Sequence, residues 1–238
     1  MKNRHRYSPN DKMSSLICDN YSLLTVMSRF GLALGFGDAT IDEVCRRNGI
    51  DSTTFLTVVN FIAEERDSIE IDDSLSVTAL MSYLKRAHDY YLGFKLPSIR
   101  QKLVEALSCS HDTGLSALVI KFFDEYVGEV HDHMSYEDSH VFTYVTSLID
   151  GKDNGGKRFN ISTFARHHDR AESKLTELKN IIIKYYPQDD GNPELMNDVL
   201  YDIYNCEADL ALHTKIEDYL FVPAIAGLER KVKDEARQ

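Results

Sequence analysis

His133-Met-Ser-Tyr-Glu137 and, 80 residues on, His213-Thr-Lys-Ile-Glu217 decide how this chain is read. Each is an imidazole followed by a carboxylate at i+4, a spacing that stacks two side chains on one helix face, one turn apart. A lone histidine precedes each pair by 45 residues, His88 before His133 and His168 before His213. One HxxxE alone carries little weight. With nine histidines in the chain, about half a match is expected by chance, and His168–Glu172 is a third one. Chance does not readily supply the duplicated 45-residue gap. The repeat also extends further: His88-Asp89 recurs as His168-Asp169, and Glu129 as Asp209, each four residues before a histidine of a pair.

The pairs lie on apolar stripes. Val130, His133, Glu137, Val141 and Tyr144 follow one another in steps of three and four, as do Leu210, His213, Glu217, Leu220 and Ala224. The polar side chains therefore point where core residues point. Burying unpaired imidazole and carboxylate charge costs several kcal/mol or more, and a pair of metal ions removes that cost. The predicted ligands are His88, His133, Glu137, His168, His213 and Glu217, with two imidazoles per metal and two carboxylates bridging both. This nitrogen and oxygen donor set suits iron, manganese or zinc. Two carboxylates cancel half of four positive charges, so an oxo or hydroxo bridge is expected, with at least one open position on each metal. His167 points about 100° away from His168 on a helix. His131 and His140 read as surface residues or as neighbours of the ligands. Glu172 reads as an exposed helix residue with a terminal-ligand role as the alternative. Glu129 and Asp209 either orient imidazoles from one turn away or lie on a solvated face.

The rest of the chain fits an all-α architecture. It has 238 residues, 43% of them apolar, with 12 glycines and five prolines, a composition of long helices rather than many short strands. The formal charge of −11 argues against nucleic acid or an anionic membrane as partner. Cys18, Cys45, Cys109 and Cys206 lie far apart, which is neither a disulfide framework nor a cysteine zinc site, and reduced thiols fit a cytoplasmic protein. The start of the chain is polar and basic with no apolar run behind it, so no signal peptide and no membrane span are expected.

Three regions are expected: a tail over 1–13, a small helical N-terminal domain over 14–70, and an up-down-up-down four-helix bundle over 75–230. In the small domain, Thr40-Ile-Asp-Glu43 reads as a capping box, Asn48-Gly49 as a helix stop, and Asp51 or Ser52 as the next cap. The bundle helices are expected over about 77–107, 114–149, 161–186 and 194–228. Pro97 should kink the first. Glycine-rich and proline-flanked loops over 150–156 and 187–193 make neighbouring helices antiparallel.

The segments Ala87-His-Asp-Tyr90, Glu129-Val-His-Asp-His133-Met-Ser-Tyr-Glu137-Asp138, His167-His168-Asp169 and Leu212-His213-Thr-Lys-Ile-Glu217-Asp-Tyr-Leu-Phe-Val-Pro223 resemble the hemerythrin-like HHE cation-binding domain. Within it they are most similar to the Repair of Iron Centres proteins. The resemblance covers about residues 75–230. It implies a non-haem di-iron protein of the nitrosative and oxidative stress response. Such a protein would bind nitric oxide or dioxygen, or supply iron to damaged iron–sulfur proteins. The small helical N-terminal module also resembles that family, with Thr40-Ile-Asp-Glu-Val-Cys45-Arg-Arg-Asn-Gly-Ile-Asp51 similar to its second half. The family carries a vicinal cysteine pair shortly before this helix, and Phe30-Gly-Leu-Ala-Leu-Gly-Phe-Gly37 has none. A thiol-dependent repair step therefore lacks its usual residues here, which raises a second expectation, a di-iron sensor or interaction module without turnover. Oxygen-carrying hemerythrins carry HxxxH on the third helix where this chain has Glu172, so a reversible oxygen carrier is the less expected reading.

Overall fold

The computed structural model describes residues 6–64, 74–108, 113–151, 161, 172–186 and 192–235. The chain is all-α, a bundle of long helices with a helical N-terminal part, as the hydrophobic periodicity predicts. Among the described residues the nearest thing to a strand is one isolated bridge between Lys12 and Thr40. The N-terminal helices are α1 (Met13–Asp19), α2 (Leu23–Arg29), α3 (Ile41–Arg47) and α4 (Ser52–Ala63). The longer segments comprise α5 (Val77–Tyr90), α6 (Leu96–Leu107), α7 (Thr113–Tyr136), α8 (Phe142–Ile149), α9 (Glu172–Tyr185), α10 (Pro193–Ile216) and α11 (Val222–Glu235).

Local signals place the short helices. Thr40 and Glu43 close a reciprocal capping box: the Glu43 N–H donates to Thr40 Oγ1 at 3.2 Å and the Thr40 N–H donates to Glu43 Oε2 at 3.0 Å. Gly49, at φ +66°, ends α3 in the left-handed region that favours glycine. Asp51 caps α4 by accepting from the Thr54 N–H at 2.7 Å. Leu16, Leu23, Val26, Met27, Ile41, Val44, Phe55 and Val59 are buried and give these four helices their core. The segment expected as a loosely held tail is fixed from Tyr7 onward. The Tyr7 N–H donates to Asn60 Oδ1 at 2.7 Å, and Asn60 Nδ2 donates to the Tyr7 carbonyl at 3.0 Å.

The described residues fall into two compact units. One comprises Met1–Ala87, Val145–Ser162 and His213–Gln238, the other His88–Tyr144 and Thr163–Leu212. In the first, the N-terminal core continues into Leu80, Tyr83 and Leu84 of α5. Phe30 packs on Phe55 and Tyr83, with ring centroids 5.2 and 5.0 Å apart. In the second, α6 and α9 both pack on α7. Lys95 reaches Asp202 at 2.6 Å, and Lys102 reaches Asp198 and Asp202 at 2.6 and 2.8 Å. These ion pairs fix the register of α6 against α10.

Among the described residues, three of the long segments carry a five-residue π turn: Tyr91–Lys95, Glu137–Val141 and Glu217–Phe221. In each, the residue after the turn donates its N–H five residues back: Leu96 to the Tyr91 carbonyl, Phe142 to Glu137, Val222 to Glu217. Pro97, where a kink is expected, stands in the first turn of α6, just after one of these turns. A proline has no N–H to continue the i→i−4 ladder, and Pro97 follows one π turn as Pro223 follows another. At Glu137–Val141 the corresponding residue is Thr143, so proline is not the shared cause. The turns at Glu137 and Glu217 stand 80 residues apart, like the HxxxE pairs that end in them, and π turns collect at functional sites.

Candidate metal centre

α5 presents His88 in its last turn. α7 ends in a turn holding His133 and passes into the π turn that Glu137 opens. α10 ends in a turn holding His213 and passes into the π turn that Glu217 opens. His88, Glu137, His213 and Glu217 are each no more than 2% exposed. Each offers one ligand atom to a candidate metal-binding group.

The pairwise geometry distributes the oxygens. Glu137 Oε2 stands 3.1 Å from His88 Nε2, and Glu137 Oε1 stands 3.1 Å from His133 Nε2. Glu217 Oε1 stands 3.1 Å from His213 Nε2. The two Glu137 oxygens thus face two different imidazoles, as a carboxylate bridging two cations requires. Burial pushes the Glu137 carboxyl up, but hydrogen bonding and charge from His133 and His88 outweigh it and hold the group well below the usual carboxylate range. His133 is the more open of these imidazoles, its side chain 33% exposed.

His88 is held from its other sides too. Its Nδ1 lies 3.0 Å from Asp138 Oδ1, and its ring stacks on Phe142, 5.5 Å between centroids and 21° between planes. The sequence alone gives Asp138 no role. Its one signal there is that Glu137-Asp138 recurs as Glu217-Asp218.

The remaining candidates have plainer places. His168, predicted as a ligand, and His167 lie outside the described residues, as does the side chain of Glu172. His131 is exposed beside Asp132. His140 is exposed and stacks on Tyr136 at 4.6 Å. Glu129 takes Lys174 Nζ at 2.7 Å, which puts it in a surface ion pair rather than behind an imidazole.

The donor set fits a metal ion on chemical grounds. A buried carboxylate is costly unless it binds a proton or pairs with a cation, and Glu137 and Glu217 are both buried. Imidazole nitrogen with carboxylate oxygen is the set that divalent iron, manganese and zinc share. The family comparison agrees. The pattern of the hemerythrin HHE cation-binding domain matches residues 80–225, more than half of the chain. The chain belongs to the hemerythrin family. All six predicted ligands fall inside the hemerythrin domain, and the buried His–Glu group marks it as a metal-binding domain of di-iron type. A comparison with curated proteins found no match. Among the described residues no helix of this hemerythrin is long and apolar enough to cross a membrane.

Proposed function

We propose that this hemerythrin domain holds two iron ions and binds a small diatomic gas, nitric oxide or dioxygen, at their open coordination positions. The observation that carries the proposal is the buried group of His88, Glu137, His213 and Glu217 with Glu137 also facing His133. On this reading His88, His133, Glu137, His168, His213 and Glu217 would hold the two ions, two imidazoles to each with both carboxylates shared. Four protein ligands leave positions free on a metal that accepts six. Iron in such a site supplies the affinity for the diatomic ligand. The chain supplies the rest: two carboxylates that balance charge, imidazoles fixed by their surroundings, and buried apolar residues such as Val141, Phe142, Leu220 and Phe221 on the turns that follow the carboxylates.

The resemblance to the Repair of Iron Centres proteins extends the proposal to the nitrosative and oxidative stress response in the cytoplasm, with iron–sulfur proteins as partners. A second reading, a di-iron sensor without turnover, is favoured by the thiols. No cysteine precedes α3 in the stretch from Phe30 to Gly37. Cys45 is fully buried, and burial, with Asp42 and Asp51 nearby, pushes its thiol up to about 12, far from the reactive thiolate that exchange chemistry needs. Anaerobic addition of nitric oxide to the reduced, iron-loaded protein separates the two. Stoichiometric uptake that then stops supports the sensor, and continued consumption supports turnover. Absence of any nitric-oxide-dependent spectral change refutes gas binding.

A further inference from the structure

We propose that Asp138 is a positioning residue for one metal of the centre: it fixes the tautomer and orientation of His88 and so sets that metal's affinity. The inference rests on the two-metal reading above. Glu137 and Asp138 are consecutive, yet both reach the same imidazole from opposite nitrogens, Glu137 Oε2 at 3.1 Å from Nε2 and Asp138 Oδ1 at 3.0 Å from Nδ1. The π turn that begins at Glu137 is where the helix departs from its regular 100° step, and there two neighbouring side chains converge on one ring.

Chemistry gives this contact a direction. An imidazole that binds a metal through Nε2 must carry its proton on Nδ1. Asp138 accepts that N–H, which leaves the Nε2 lone pair aimed at Glu137 and the metal position. A carboxylate behind the ring also raises its basicity as a ligand. Phe142 stacks on the ring face at 5.5 Å, so rotation is blocked from a third side. The side chain of Asp138 is 44% exposed, and exposed pairs contribute little to folding stability. Its weight therefore falls on the metal site rather than on the fold. Asp138 reaches His88, whereas Glu137 Oε1 faces His133, so the effect of Asp138 falls on the metal that His88 would hold.

The test is anaerobic titration of ferrous ion into wild type, Asp138→Ala, Asp138→Asn and Asp138→Glu, against a competing chromophoric chelator, with the melting temperature of each metal-free protein measured alongside. Asp138→Ala should weaken one of two ferrous sites by about 10–100-fold and leave the other, and the metal-free melting temperature, unchanged. Asp138→Asn keeps an accepting oxygen without the charge and should fall between, and Asp138→Glu should recover part of the loss. Two sites of wild-type affinity in Asp138→Ala overturn the assignment alone. Equal weakening of both sites with a lowered metal-free melting temperature shows a merely structural role and also overturns it. A wild-type chain that binds no ferrous ion overturns the two-metal reading and this assignment with it.

Discussion

Removing Glu137 should cost the protein both metals, whereas removing His88 should cost it one. The difference follows from the two oxygens. Oε2 faces His88 and Oε1 faces His133, each at 3.1 Å, so Glu137→Ala takes a ligand from two ions and His88→Ala from one. A ligand present at 100 times its dissociation constant stabilises the folded chain by about 2.7 kcal/mol per site. For a protein of this length 1 kcal/mol moves the melting temperature by about 2–4 °C. Wild type should thus melt roughly 10–20 °C higher with ferrous ion than without. His88→Ala should keep about half of that increment, and Glu137→Ala almost none. Using the increment within each variant cancels whatever the substitution does to the metal-free fold. The assay is an anaerobic thermal melt followed by circular dichroism at one fixed ferrous concentration. Equal increments in the two variants, or an undiminished increment in Glu137→Ala, would refute the bridging geometry.

Other substitutions test the surroundings. In the native protein a thiol reagent should modify the exposed Cys18 and spare Cys45, whose thiol burial pushes up to about 12; mass mapping that finds Cys45 labelled at the rate of Cys18 contradicts this. For Asp202, burial pushes the carboxyl up, but Lys102 and Lys95 outweigh it and leave it below its ordinary value. The stability this contributes is complete above the unfolded value near pH 4 and is lost as pH falls through the folded one. Asp202→Asn should therefore flatten the acid limb of stability against pH, measured by urea unfolding, and a limb as steep as wild type would contradict it. Gly31 sits at φ +76°, where an added Cβ would meet the Arg86 guanidinium. Gly31→Ala should cost about 1 kcal/mol or more in denaturant unfolding, and Arg86→Ala should not fully restore it, because the backbone strain remains.

The HxxxE pairs were legible because i and i+4 share a helix face and because the 80-residue repeat ties two such faces together. The capping box at Thr40 and the stop at Gly49 were legible because their chemistry is local. The π turns were not, since the steps of three and four through Tyr144 and Ala224 read as regular helix, whereas the chain buries Val145 and Ile225 one residue further on. Pro97 announced an interruption of its helix without showing its form, and Thr143 announced nothing. The role of Asp138 is not legible because consecutive residues in a regular helix diverge by about 100°, which hides a convergence that the π turn makes possible. The anchoring of Tyr7 by Asn60 joins residues 53 apart, beyond the reach of any local signal. Glu129 had two readings in the sequence, and Lys174 on another helix decided between them.

The iron content of the anaerobically loaded and desalted protein tests the two-metal centre most directly. Wild type should hold two irons per chain, and both His133→Ala and Glu217→Ala should lose iron, with each variant still helical by circular dichroism. One iron or none in wild type, or two irons retained in a folded Glu217→Ala chain, would contradict it.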